Sequence, residues 1–194
     1  MTDDEKIDAL EKHVHDRQLV IAKHLADHFV ANEADDPLSQ SAFAILSIVT
    51  NYFEMIEQFH VGASSKGKSE AFFRDGIARV FTAAEISAAD ADRLYSFMRC
   101  GMYHSSMPTD RCGLSRDLPV PVRNDSGVII INPALLVDRL ISHFNSYCAE
   151  LRGSTNPVVR QNMLKLFGLL ATSAKTSTAT ACQTQTPTTP PPWQ

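Results

Sequence analysis

Ile7, Leu10, Val14, Ile21, Leu25 and Phe29 recur at intervals of three, four and seven residues, with charged and polar side chains between them. This is the pattern of one apolar stripe on an α-helix. Thr2 or Asp3 is suited to cap that helix, which is predicted to run to about Val30. Asp35-Asp36-Pro37 then reads as a break and restart, with Asp36 as cap and Pro37 in the first turn. A second helix is expected to direct Phe43, Leu46, Val49, Phe53, Ile56 and Phe59 into the core, with Tyr52 and Phe72 adding core aromatics. Gly62 to Gly67 forms a loop of small residues, and Ser69 opens a third helix carrying Phe72, Phe73, Ile77, Val80 and Phe81. Ser87-Ala88-Ala89-Asp90 resembles a capping box with Asp in place of Glu; the fourth helix behind it turns Leu94, Phe97 and Met98 inward. Four helices on short connections form a bundle.

Beyond this point the period changes. Leu118-Pro119-Val120-Pro121-Val122 and Val128-Ile129-Ile130-Ile131 flank Arg123-Asn124-Asp125-Ser126-Gly127, a hairpin signal in which the two prolines make the first strand an edge. Asn132-Pro133 caps a helix to about Leu151 bearing Leu136, Leu140, Phe144 and Tyr147, and Asn156-Pro157 repeats the device for a short helix ending near Leu170. The expected organisation is mainly α. Residues 1–152 make one helical domain with a hairpin at about 118–131, and 156–171 a C-terminal helix. The Thr-, Ser-, Gln- and Pro-rich residues 172–194 make a disordered tail.

Composition narrows the function classes. With 194 residues, 44% of them apolar, the chain suits one domain with appendages and a real core. Nothing is apolar for about 18 residues running, so no membrane span is expected. The acidic start Met1-Thr2-Asp3-Asp4-Glu5 lacks the features of a secretion signal. Cys100, Cys112, Cys148 and Cys182 have neither a C-x-x-C pair nor zinc spacing. Reduced thiols in a cytoplasmic protein are the expectation. A net charge of −4 opposes broad nucleic-acid binding. It is unevenly spread: residues 1–40 hold four Lys/Arg against ten Asp/Glu, whereas residues 62–123 hold nine against seven. Arg99, Arg111, Arg116 and Arg123 crowd the second region, which allows a local basic cleft.

Three patterns carry candidate chemistry. Gly62-Ala63-Ser64-Ser65-Lys66-Gly67-Lys68-Ser69 fits G-x-x-x-x-G-K-[ST] at every fixed position, but a phosphate loop follows a buried strand. Here Asn51–His60 has helical period and carries charges, so the segment is expected only to turn the chain between two helices. His24 and His28 stand four apart with His13 on nearly the same flank, a spacing that could hold a metal. The interior residue is Asp27, and surface histidines are the simpler reading, so no metal or cofactor is expected. The third pattern is Arg99-Cys100-Gly101-Met102-Tyr103-His104, at the end of the fourth helix. Cleaving RNA without a metal needs a proton carrier near neutral pH and a cation for the phosphorane, and His104 and Arg99 supply them. On an ideal α-helix the two project about 140° apart and about 7.5 Å along the axis. They converge where the helix bends or ends, for which Gly101 is the candidate, or where two chains share a cleft. As purely structural groups, Arg99 would instead pair with Glu54 or Glu57, and His104 would close its helix.

Asn51–Phe59 (NYFEMIEQF), Leu94–Ser105 (LYSFMRCGMYHS) and Ile129–Leu136 (IIINPALL) together resemble a bacterial group of HEPN-like proteins with an R-x4-H motif. The likeness spans about Thr50 to Leu151. It implies an up-and-down four-helix bundle that forms a homodimer, placing two Arg/His pairs in one cleft. It further implies a metal-independent endoribonuclease with Arg99 and His104 catalytic and Glu54 and Tyr103 supporting. Many nuclease members carry a polar residue after the arginine, where this chain has Cys100. The alternative is a non-catalytic dimeric interaction module of the same fold.

Overall fold

Local chemistry sets the start of the first helix. Thr2 Oγ1 accepts from the Glu5 N–H at 3.2 Å while the Glu5 carboxylate takes the Thr2 N–H at 2.6 Å, a reciprocal cap. The computed structural model describes residues 1–31, 41–102, 111–153 and 156–183. Helix α1 (Asp3–Glu11) passes into a π-helical stretch, Lys12–Leu19, and then into α2 (Val20–Ala31) without leaving helical backbone angles. The Val20 N–H donates to the His15 carbonyl, five residues back. That wide turn shifts the phase of the apolar stripe. The buried series is Ile7, Leu10, Val14, then Leu19, Ala22, Ala26 and Phe29. Ile21, expected in the core, is 48% exposed, because the step of five from Val14 to Leu19 rotates everything downstream.

The Asp36-Pro37 restart lies outside the described residues. Two helices nearly in line come next, α3 (Ala42–Val49) and α4 (Asn51–Val61), joined at Thr50, whose backbone stays helical and whose hydroxyl donates to the Leu46 carbonyl at 2.6 Å. Ala42, Ile45, Leu46, Val49, Tyr52, Phe53, Ile56 and Phe59 face inward. Phe43 does not; at 44% exposed it is out of phase with that face, contrary to expectation.

Gly62, in the left-handed conformation with φ of 70°, ends α4. A Cβ there would lie 2.9 Å from the Asn162 backbone. Helix α5 (Ser69–Val80) packs most extensively on α4. The two touch backbone to backbone at Gly76, where a Cβ would sit 1.9 Å from the Phe53 carbonyl oxygen. Helix α6 (Ala88–Leu94) starts at Ser87, whose hydroxyl accepts from the Asp90 N–H at 3.2 Å, and runs into a second π-helical stretch, Tyr95–Met102. Gly101 remains helical within it: the chain widens its turn there rather than breaking.

A small sheet comes after this helix, ordered β1 (Cys112–Leu114), β3 (Val128–Ile131), β2 (Val122–Asp125). The expected hairpin is present but shifted. Its first strand begins only at Val122, leaving Pro119 and Pro121 in the approach, where their missing N–H groups cost no ladder bonds. The turn is just Ser126-Gly127, both at positive φ (53° and 93°). Strand β1, which the sequence pattern does not signal, pairs parallel to β3. Ile129 and Ile131 enter the helical core.

Helix α7 (Pro133–Arg152) is locked at its start by Asn132, which is 3% exposed. Its Oδ1 accepts from the Ala134 and Leu135 N–H groups at 3.1 and 3.2 Å. Its Nδ2 donates to the Arg116 and Leu118 carbonyls at 3.0 and 2.8 Å. Leu136, Leu140, Phe144 and Tyr147 are buried as the period predicts, and the Tyr52 hydroxyl meets His143 Nδ1 at 2.7 Å to tie α7 to α4. Helix α8 (Pro157–Gln183) packs through Val159, Met163 and Leu166, with Asn162 Nδ2 donating to the His60 carbonyl at 2.6 Å. Its backbone stays helical past the expected end near Leu170; Ala171–Gln183 contains neither Gly nor Pro to stop it. The molecule is thus mainly helical with a three-stranded sheet, and among the described residues no helix is long and apolar enough to cross a membrane.

Candidate functional site

Arg99 lies on the second π-helical stretch, one wide turn after Tyr95. Winding with i→i+5 bonds brings side chains five apart closer in direction than 3.6 residues per turn allows. Tyr95 and Cys100 stand five apart on this stretch, where the wide winding makes them neighbours. Burial first, then the neighbouring Cys100, raises the Tyr95 phenol above its ordinary range.

Glu54, from the middle of α4, reaches across to Arg99, with Oε2 3.4 Å from Nε. Its other oxygen accepts from the Ser65 hydroxyl at 2.5 Å. Ser65 is itself buried in the Gly62–Lys68 loop, where its N–H donates to Gln58 Oε1 at 3.2 Å. One carboxylate therefore joins three segments: α4, the loop and the π-helical stretch. The Glu54 side chain is 13% exposed and that of Arg99 24%, so the pair is shielded but not sealed. Of the two acids that could have met Arg99, Glu57 is already committed to Arg79, which holds it through Nε and, at 3.3 Å, through a terminal nitrogen.

The structure brings together Arg99 and Glu54 of the sequence candidates and adds Ser65, which sequence reasoning missed. Tyr103 and His104 lie outside the described residues. The phosphate-loop-like segment comes after a helix rather than a strand, as its period indicated. Its first glycine serves the α4 C-cap, and Gly67, at φ of 75°, serves a turn closed by the Lys68 N–H on the Ser65 carbonyl at 2.7 Å. Lys68, Ser69, Arg74 and Tyr95 line an open cleft of about 600 Å³ beside it, with Glu70 on the same rim. Arg74 lies 3.7 Å from both Asp75 and Asp92.

The other basic residues of this region are dispersed. The Arg116 guanidinium sits 4.9 Å from the centre of the Phe29 ring, Arg123 lies 3.7 Å from Asp125, and Arg111 is exposed. His24 and His28 are exposed on α2, and among the described residues no group of three His, Cys, Asp or Glu could hold a metal. Cys100, Cys112 and Cys148 are free thiols; burial pushes Cys112 up to about 11 and Cys148 up to about 12, which keeps both protonated at neutral pH.

No protein-family model matches the chain, and no curated protein or solved structure is significantly similar to it.

Proposed function

We propose that this chain is a HEPN-like, metal-independent endoribonuclease that acts as a homodimer. The observation that carries the reading is the Glu54–Arg99 contact. A carboxylate on one helix holds an arginine at the position where the R-x4-H resemblance requires a catalytic one. Fixing a guanidinium before substrate arrives is what electrostatic stabilisation of a phosphorane needs. In the proposed reaction, His104 takes the proton of a ribose 2′-hydroxyl as its oxygen attacks phosphorus. Arg99 balances the charge that builds on the non-bridging oxygens. The 5′-oxygen leaves with a proton from the partner protomer's histidine or from His104 itself, producing a cyclic phosphate end. Lys68, Arg74 and Tyr95 offer the neighbouring cleft a mixture of cations and a ring suited to a single strand.

A second reading has its own support. The contacts of Glu54 with Ser65 and Arg99 suffice to brace three segments, as a non-catalytic dimeric interaction module of this fold would use them. Incubating the purified protein with a mixed RNA pool in EDTA separates the two. Cleavage that survives EDTA and disappears in His104→Ala supports the nuclease, whereas a folded, dimeric and inert protein supports the module.

A further inference from the structure

The first π-helical stretch, Lys12–Leu19, borders a cavity that the proposed nuclease chemistry does not use. It has a volume of about 400 Å³, within the range of small-ligand sites. Its floor is apolar and comes from three helices, Leu10 of α1 and Phe59 of α4, 3% and 5% exposed, with Phe167 of α8, while Leu170 of α8 stands at its edge. Its rim carries three bases, Lys12, His13 and Arg17. In an α-helix, residues 12 and 17 would project about 140° apart. The i→i+5 winding turns them towards one side, and both reach the same cavity.

These basic side chains are left over. Among the described residues, none of the three has a carboxylate within ion-pair distance, although this is the most acidic part of the chain. The nearby acids are engaged elsewhere. Asp8 and Glu11 hold Arg152 at 2.7 and 2.5 Å, Asp4 holds Arg160 at 2.8 Å, and Asp16 lies 2.9 Å from His15 Nδ1. An apolar hollow with an unneutralised basic rim on one side selects a molecule of matching polarity, with an apolar body and a single anionic head.

We propose that this cavity binds a medium-chain fatty acid, its chain lying on Leu10, Phe59 and Phe167 and its carboxylate at Lys12, His13 and Arg17. Apolar burial supplies affinity, and the cations set the head-group orientation. The site is independent of Arg99, so its failure leaves the nuclease reading untouched.

The test uses the full chain and decanoate below its micelle concentration, titrated by calorimetry. One saturable site per chain is expected, with decanol and acetate each at least about tenfold weaker, since one lacks the charge and the other the body. Lys12 and Arg17 are exposed, so the Lys12→Gln/Arg17→Gln double variant should melt at the same temperature yet bind decanoate roughly 10- to 100-fold more weakly, with decanol unaffected. Leu170→Glu, at a residue 52% exposed, places a like charge on the rim and should weaken decanoate again. The proposal is overturned if decanoate fails to bind, if decanol matches it, or if the charge variants leave its affinity unchanged. Capture of the protein by phosphatidylglycerol vesicles at lower lipid concentrations than decanoate requires also overturns it, and assigns the rim to a membrane surface instead.

Discussion

Gly76→Ala and Gly168→Ala are the same chemical change in two helices and should have opposite effects. At Gly76 a Cβ would stand 1.9 Å from the Phe53 carbonyl oxygen and 2.6 Å from its carbon. Backbone cannot swing aside as a side chain can, so α4 and α5 must part by about 1 Å. A gap of 0.5–1 Å forfeits roughly a quarter to a half of each dispersion contact along that line. The contacts at stake include the Phe53–Phe73 and Phe53–Phe81 ring pairs, with centroids 5.3 and 6.4 Å apart. Overpacking of this kind costs about 1–3 kcal/mol and more when backbone must move. The better helix propensity of Ala returns at most about 1 kcal/mol. A net loss of roughly 2–3 kcal/mol is expected, which lowers Tm by about 4–12 °C for a chain of this length. At Gly168 a Cβ meets nothing within 4 Å, so only the propensity gain applies, about 0.5–1 kcal/mol in the stabilising direction. Urea titration followed by circular dichroism measures both, with m unchanged as the check that unfolding stays two-state. A Gly76→Ala protein as stable as the parent would refute the close helix approach, and a strongly destabilised Gly168→Ala would refute the open surface.

Leu19→Ala should cost about 2–5 kcal/mol and Ile21→Ala less than about 1, the reverse of what a straight α-helix predicts; equilibrium unfolding decides the order. Asn132→Asp keeps the cap of α7 but replaces two donors with an acceptor facing the Arg116 and Leu118 carbonyls, so a loss of roughly 2–4 kcal/mol is expected at pH 7 by the same assay. Burial, and next the Arg79 and His143 charges, lower His60 from 6.5 to about 4. The unfolded chain therefore binds more protons between those values, and stability present above pH 6.5 should drain away as the pH falls towards 4. His60→Gln should flatten that part of the profile. If the nuclease reading holds, Arg99→Ala should lower kcat about 10²–10³-fold and His104→Ala about 10²–10⁴-fold. Glu54→Gln, which keeps a hydrogen bond to Ser65 while loosening Arg99, should lower kcat less than Arg99→Ala; gel-resolved cleavage rates rank them.

What the sequence determined by itself is the part of the molecule that local physics decides. Thr2, Ser87, Asn132 and Asn156 cap helices because a side-chain oxygen three or fewer residues from an unpaired N–H needs no distant partner. The period of α7 named its buried face for the same reason, as did that of α5 for Phe73, Ile77 and Val80, whereas Phe72, also expected in the core, is only partly buried one position off that face. Arg99 and Glu54 were legible as candidates, since few residue types can stabilise a phosphorane or orient the group that does. Tertiary structure decided the rest. The π-helical stretch of residues 12–19 lets Leu19 fill the core, and that choice, made by the neighbours α3 and α7, turned Ile21 outward and gathered Lys12 and Arg17 on one rim; a step of five in the apolar series was its faint trace in the sequence. Phe43 lost its place because α3 and α4 share one buried face that a single phase must serve. β1 exists because β3 offers a second edge, which no pattern within residues 112–114 announces. The meeting of Ser65, Glu54 and Arg99 depends on how a loop, a helix and a π-helical stretch pack together. Such meetings are properties of the assembled chain, because residues far apart in sequence acquire a common neighbour only after the helices between them have chosen their sides.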